Sequence, residues 1–138
     1  MVKNSMGYEK LRIFMKKTIL VVEDEPLNRK LMRDILTHRG TSVIEAGNGR
    51  EGVDLAIEKK PDLILMDIQL PIMDGMEATR LIKANPATRH IPIVALTGYV
   101  MEGDEKRMRE VGCDGYLSKP FRIKELLQVI DTFLVIIR

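Results

Sequence analysis

Short apolar runs alternate along this chain with longer stretches of helical period, the signature of a parallel sheet flanked by helices. Five βα units can be counted. Thr18 to Val22 reads as the first strand, and Pro26, a good first-turn residue, opens a helix with Leu27, Leu31, Met32, Ile35 and Leu36 at helical spacing. Gly40 ends that helix. Ser42 to Ala46 predicts the second strand and Glu51 to Lys59 its helix. Leu63 to Met66 follows Pro61 as the third strand, with Met76 to Ala84 as its helix. Pro92 to Leu96, Glu102 to Val111 and Gly115 to Leu117 read as strand, helix and a short last strand, and the final helix runs from Phe121 onward.

Right-handed crossovers bring all five strand ends to one edge of such a sheet, whatever the strand order. At that edge lie Glu23-Asp24, Asp67, Thr97 and Ser118-Lys119. Open α/β folds bind ligands beyond the carboxyl ends of their strands, so two acidic strand ends suggest one site. Residues 1–17 sit outside the pattern. So does the terminal Phe133-Leu134-Val135-Ile136-Ile137, which is apolar on too many sides for an ordinary surface helix.

Composition narrows the class. The 138 residues suffice for one domain with its own core, and 45% apolar with 30% charged content is that of an ordinary globular protein. A lone Cys113 excludes an internal disulfide and, with two distant histidines, gives no Cys/His metal cluster. A reducing cytoplasm is the expected compartment. No apolar stretch approaches the roughly 20 residues of a membrane span, and the first 17 residues hold no signal-peptide core, so no membrane association is expected. The formal charge of +2 divides unevenly: residues 1–17 carry Lys3, Lys10, Arg12, Lys16 and Lys17 against Glu9, a net of +4, which leaves −2 for the remainder. A basic tail on a mildly acidic domain is not the footprint of a nucleic-acid-binding face.

The edge constellation has its own chemistry. Carboxylates about 4 Å apart repel by roughly 4 kcal/mol per pair at an effective dielectric near 20, so the acidic group needs a cation. All-oxygen donors favour a hard divalent ion, and Mg²⁺ commonly takes one or two carboxylates, waters and a phosphate. Asp24 and Asp67 are the expected direct ligands. Lys119 adds a mobile positive charge for a phosphoryl oxygen, and Thr97 offers a hydroxyl to another. Together they suit phosphoryl transfer onto an aspartate.

Four segments carry a family resemblance: Ile19 to Asn28 (ILVVEDEPLN), Asp62 to Pro71 (DLILMDIQLP), Ile93 to Tyr99 (IVALTGY) and Gly112 to Pro120 (GCDGYLSKP). In order and spacing they closely resemble bacterial response-regulator receiver domains of the CheY-like superfamily. The Glu-Asp-x-x-x-Asn opening at Glu23 to Asn28 is most similar to stand-alone DivK-type regulators and the receiver modules of hybrid histidine kinases. The resemblance implies a flavodoxin-like doubly wound (βα)5 sheet with strand order 2-1-3-4-5 and the site at the switch between strands one and three. It further implies that Asp67 accepts a phosphoryl group from a phosphohistidine on a histidine kinase or histidine phosphotransfer protein. Mg²⁺ would be bound by Asp24, Asp67 and the main-chain oxygen of Gln69, with Glu23 acting through a metal-bound water. Lys119, expected to precede a cis bond to Pro120, would contact the phosphoryl group. Thr97 would move to donate to it, Tyr116 would turn inward, and the face of the fourth helix, fifth strand and fifth helix would change for a downstream target protein. Gly98, where many relatives have Ala, leaves a path to the site, and Gln69 and Tyr99 flank the expected route of hydrolytic water.

On this reading residues 18–138 form the receiver, residues 1–17 are a basic extension, and the 19 residues after Lys119 leave no room for a fused output domain. The chain is then no enzyme beyond its own phosphotransfer and dephosphorylation. Simpler readings stand beside these. Asp67 could cap a turn, Thr97 could be a β-former, Lys119 a solvated charge and Tyr116 an ordinary strand tyrosine; only their shared edge promotes them. A phosphorylation-independent interaction module with the same fold is the main alternative. Gly47-Asn48-Gly49-Arg50-Glu51-Gly52 fits the dinucleotide fingerprint with Asp67 as its acid, yet that use would leave Glu23, Asp24, Thr97 and Lys119 unexplained. An aspartyl phosphatase lacks its second acid, because Gln69 stands there. His38 and His90 are expected at the surface, and Cys113 as a small packed residue. In the last helix Phe121, Ile123, Leu126, Leu127, Ile130, Phe133, Leu134 and Ile137 make the apolar stripe of a core face. Val135 and Ile136 fall outside it, which suggests a homodimer or partner contact through the last helix, or a cover supplied by Tyr8, Leu11, Phe14 and Met15. Glu25, Leu27, Asn28 and Arg29 lie where partner specificity would be read.

Overall fold

The computed structural model describes residues 17–98 and 103–134. Tyr8, Leu11, Phe14 and Met15, Tyr99, and the terminal Val135, Ile136 and Ile137 lie outside the described residues, as does the expected helix start at Glu102.

Five parallel strands form one sheet in the order β2-β1-β3-β4-β5: β1 (Thr18–Val22), β2 (Ser42–Ala46), β3 (Leu63–Asp67), β4 (Ile93–Thr97) and β5 (Gly115–Ser118). Five helices connect them: α1 (Pro26–His38), α2 (Gly49–Lys59), α3 (Gly75–Ala84), α4 (Asp104–Val111) and α5 (Ile123–Leu134). The expected doubly wound order is therefore present. Among the described residues no helix is long and apolar enough to cross a membrane.

Alternation along each strand divides the core into layers. Ile19, Val21, Leu63, Leu65, Val94, Leu96 and Leu117 face α1 and α5, where Met32, Leu36, Leu126, Ile130 and Leu134 complete one cluster. Leu20, Val22, Ile64, Met66 and Ile93 face the other way, against Val53 and Ala56 of α2 and Ala78 and Ile82 of α3. A small third layer joins Ala95 to Met108 of α4 and Cys113. The same parity, carried past the apolar run, sends Glu23, Asp67 and Lys119 toward the α1/α5 side. Register brings these ends level, because Val22 pairs with both Ala46 and Met66, Asp67 with Leu96, and Thr97 with Ser118.

Some boundaries differ from the sequence expectation for local reasons. Helix α2 begins at Gly49, because the Asn48 side chain accepts from the Glu51 amide at 2.8 Å and caps it. Strand β3 includes Asp67, whose ladder continues through a bond from the Ile68 amide to the Leu96 carbonyl, 3.0 Å. Strand β4 runs from Ile93 to Thr97, one residue later than expected, and β5 extends to Ser118. Helix α5 starts at Ile123 and not Phe121, and the Glu125 carboxylate accepts from the Arg122 amide at its start. The expected core stripe of α5 is too wide: Leu126, Ile130 and Leu134 are buried, whereas Ile123 is 54% exposed because it precedes the part of the helix that covers the sheet. On α1 only Met32 and Leu36 are fully buried, and Leu27 and Leu31 face solvent.

Candidate functional site

Asp67 ends β3 beneath a loop that folds tightly back on it. The Gly75 amide donates to the Ile68 carbonyl at 2.9 Å, and a Cβ at Gly75 would stand 2.1 Å from the Asp67 carbonyl oxygen, so only glycine permits this approach. Between them Ile72 has φ 70, a left-handed conformation that costs a β-branched residue energy, and its side chain is 81% exposed. The Asp74 side chain caps α3 by accepting from the Glu77 amide at 2.9 Å. The buried carboxylate of Asp67 is held from two sides: the Gln69 amide donates to Oδ1 at 3.1 Å and Lys119 Nζ donates to Oδ2 at 2.8 Å.

Glu23 follows β1 and is 2% exposed. Its amide donates to the Ala46 carbonyl, its Oε2 accepts from the Glu25 amide at 3.1 Å, and its Oε1 accepts from Lys119 Nζ at 3.1 Å. Asp24 is exposed at the mouth. Ligand oxygens of Glu23, Asp24 and Asp67 all lie within 4.8 Å of one another. Lys119 precedes a cis bond to Pro120, and its amide donates to the Thr97 carbonyl at 2.7 Å, which joins the ends of β4 and β5. The structure thus brings Glu23, Asp24, Asp67, Gln69 and Lys119 together, with buried Thr97 at the adjacent strand end. Tyr116 stands apart, pointing to α4, where its hydroxyl donates to Glu105 Oε2 at 3.1 Å.

The charges are out of balance. Burial raises the Glu23 carboxyl above its ordinary value and the neighbouring charge of Asp67 pushes it further up, while the Glu25 amide and Lys119 only partly oppose this. Burial alone would lower Lys119, but the hydrogen bond and charge of Asp67, with Glu23, outweigh it and hold the ammonium above its usual range. One lysine does not neutralise the pocket, and the donors are all oxygen with one carboxylate open to solvent. That set fits a hard divalent cation. The Tyr116 phenol is raised mainly by its bond to Glu105.

Two clefts flank the acids. An apolar groove of about 440 Å³ opens beside Lys119, between Leu31, Met32 and Ile35 of α1 and Pro120, Phe121 and Ile123. Another, of about 470 Å³, lies between Gln69, Thr97 and the α4 residues Asp104, Arg107 and Met108. The glycines of the fingerprint-like motif have packing reasons: a Cβ at Gly49 would stand 2.0 Å from the Met73 carbonyl oxygen, and one at Gly52 would stand 3.0 Å from Val22 Cγ2. Cys113 is buried, and burial raises its thiol, which makes it a poor nucleophile.

Sequence reasoning missed the ion-pair group that lies beside Glu23. Arg29 Nε donates to Glu45 Oε1 at 3.2 Å, Arg33 Nη1 donates to Glu45 Oε2 at 2.9 Å, and Arg29 Nη1 reaches the Glu23 carbonyl at 2.8 Å. Its only signal in the sequence was an acid inside β2. The exposed Glu25 side chain caps α1 by accepting from the Leu27 amide at 3.1 Å.

A doubly wound sheet in the order β2-β1-β3-β4-β5, with an acidic pocket, a lysine and a threonine at its carboxyl edge, is a flavodoxin-like α/β fold with a candidate cation site. Residues 19–131 match the response regulator receiver domain, and the chain belongs to that family. Within it the chain is DivK-like. It is 46% identical over 120 residues to the polar-differentiation response regulator DivK of Brucella anthropi, spanning 87% of this chain and 98% of that protein, and 45% identical to DivK of Brucella ovis over the same spans. Among solved structures, the receiver domain of the sensor histidine kinase PA1611 from Pseudomonas aeruginosa, with a magnesium ion coordinated in its active-site cleft, superposes with TM-score 0.80 at 36% identity, covering 86% of this chain and 98% of that one. The chemotaxis protein CheY4 of Vibrio cholerae gives 0.81 at 28% identity with the same coverage.

Proposed function

We propose that this receiver is a phosphorylation-dependent switch of a two-component or phosphorelay system, with Asp67 as its phosphoacceptor. The observation that carries the reading is the position of Lys119 Nζ, 2.8 Å from Asp67 and 3.1 Å from Glu23, in a pocket whose third carboxylate, Asp24, faces solvent. An Asp67 oxygen attacks the phosphorus of a phosphohistidine, the P–N bond breaks, and the leaving imidazole takes up a proton from solvent. Asp24, Asp67 and the main-chain oxygen of Gln69 would hold Mg²⁺, with Glu23 acting through a water, and the bound ion supplies positive charge for the phosphoryl oxygens. Lys119 turns from the Asp67 carboxylate to a phosphoryl oxygen, and the Thr97 hydroxyl donates to another.

The same reading assigns residues 18–138 to the receiver and residues 1–17 to a basic extension, and places the protein in the cytoplasm. A histidine kinase or phosphotransfer protein would dock over the acids. The groove between α1 and Phe121, rimmed by exposed Leu31 and Ile123, supports that placement. Movement of Thr97 frees Tyr116 to leave Glu105 and turn inward, which remodels the α4–β5–α5 face for a downstream protein by noncovalent contact. Beryllofluoride with Mg²⁺ tests the switch. Amide NMR shifts are expected at Thr97, at Tyr116 and along α4 and α5, and their absence would favour a phosphorylation-independent interaction module.

A further inference from the structure

We infer that Arg29 is a positioning residue for the metal pocket, bracing the β1–α1 loop against β2 through Glu45. The inference rests on the reading of the acids as a divalent-cation site and assigns a residue that supports it from behind. Glu23 and Asp24 share one peptide plane, and the carbonyl of that plane belongs to Glu23. Arg29 Nη1 holds this oxygen at 2.8 Å, while Arg29 Nε is anchored on Glu45 Oε1 at 3.2 Å. On the other side of the residue, the Glu23 amide is fixed to the Ala46 carbonyl at 3.0 Å. Both main-chain groups of Glu23 are thus tied to β2 and its charge partner, which sets the plane from which Asp24 projects.

Glu45 is itself held. Its second oxygen also accepts from Arg33 Nη1 at 2.9 Å, one helical turn beyond Arg29, a more exposed and therefore weaker hold than that of Arg29. The Arg29 and Glu45 side chains are 25% and 27% exposed, which partly shields the pair from water. Arginine suits this role because its planar fork can donate to a carboxylate and a carbonyl at once, whereas lysine is a single point charge.

The brace and a plain charge effect predict opposite signs. A cation beside a cation site weakens metal binding by Coulomb repulsion, so removing Arg29 would tighten Mg²⁺ if charge alone mattered. If Arg29 positions the loop, Arg29→Met should weaken Mg²⁺ by about tenfold, the lower end of what loss of an outer-shell partner costs. Mg²⁺ titrations followed by amide NMR shifts of Asp24 and Gln69, on full-length protein, read this directly. Arg29→Lys keeps the charge and loses the fork, so it should weaken binding as Arg29→Met does. Arg33→Met, which spares the Glu23 carbonyl, should stay within about twofold of wild type. Circular dichroism melts of each variant identify any that is not folded at the titration temperature, and Arg29→Gln, which also removes the charge and the fork, then supplies the same test. Unchanged or tighter Mg²⁺ binding in folded Arg29→Met, or full rescue by lysine, would overturn the inference. Absence of Mg²⁺ binding to the wild type would overturn the cation-site reading beneath it.

Discussion

At the scale of the residue, Glu23 carries the electrostatic cost of the pocket. It is almost fully buried beside Asp67, and burial followed by that neighbouring charge raises its carboxyl above the ordinary 4.5. The linkage sign follows: a folded-state value above the unfolded one means the native state holds its proton more tightly. The contribution to stability is fully present below about pH 4.5 and is lost as pH rises through the elevated folded value. Glu23→Gln, which keeps the size and the acceptor for Lys119, should therefore match wild type in acid and become the more stable of the two toward neutral pH. Urea unfolding in chelator across that range measures the gap, and a gap that narrows with rising pH would contradict this assignment. Adding Mg²⁺ should favour the wild type. The acids, the lysine and the threonine were legible in the sequence because each ends an apolar run, and strand ends share an edge. The Arg29–Glu45 pair was not legible, since it depends on the β1–β2 register that sets Glu45 opposite Val21. Tyr116 was legible as a strand residue, but its partner Glu105 sits on a helix whose rotation no strand pattern fixes.

At the scale of the element, helical spacing showed that α1 and α5 have an apolar face but not how much of that face the sheet covers. Leu27, Leu31 and Ile123 keep the period of buried residues while facing solvent beside the site. Leu27 and Ile123 lie in the first turns of their helices, nearest the sheet's carboxyl edge, while Leu31 sits mid-helix on the flank of the face that buries Met32. The two classes of position should separate in stability measurements. Leu126→Ala removes a side chain with 0% exposure from the α1/α5 layer and should cost about 2 to 5 kcal/mol. Ile123→Ala, three residues earlier and 54% exposed, should stay within about 0.5 kcal/mol of wild type. Chemical denaturation of both variants checks the contrast; equal costs would mean that Ile123 belongs to the core after all. Helix starts were the least legible boundaries, because caps such as Asn48 and Asp74 act through side-chain geometry that apolar spacing does not register.

At the scale of the whole molecule, strand alternation divides the residues of the proposed switch between two sides of the sheet. Glu23, Asp67 and Lys119 continue the parity of the α1/α5 layer, while Thr97 and Tyr116 continue the opposite parity, toward α4. Lys119 and Thr97 are nevertheless joined through the main chain at 2.7 Å. In the proposed switch, that bond links phosphoryl chemistry on one side of the sheet edge to Thr97 and Tyr116 on the other. Repetition of strand and helix patterns showed five units and a shared carboxyl edge, whereas the order β2-β1-β3-β4-β5 came from the family resemblance. The central claim, that Asp67 is the phosphoacceptor, is tested most directly by incubating wild type and Asp67→Asn with acetyl phosphate and Mg²⁺ and measuring intact mass. One added phosphoryl group on the wild type and none on Asp67→Asn is the predicted result. Equal incorporation in both proteins, or none in the wild type from either acetyl phosphate or a phosphorylated histidine donor, would contradict it.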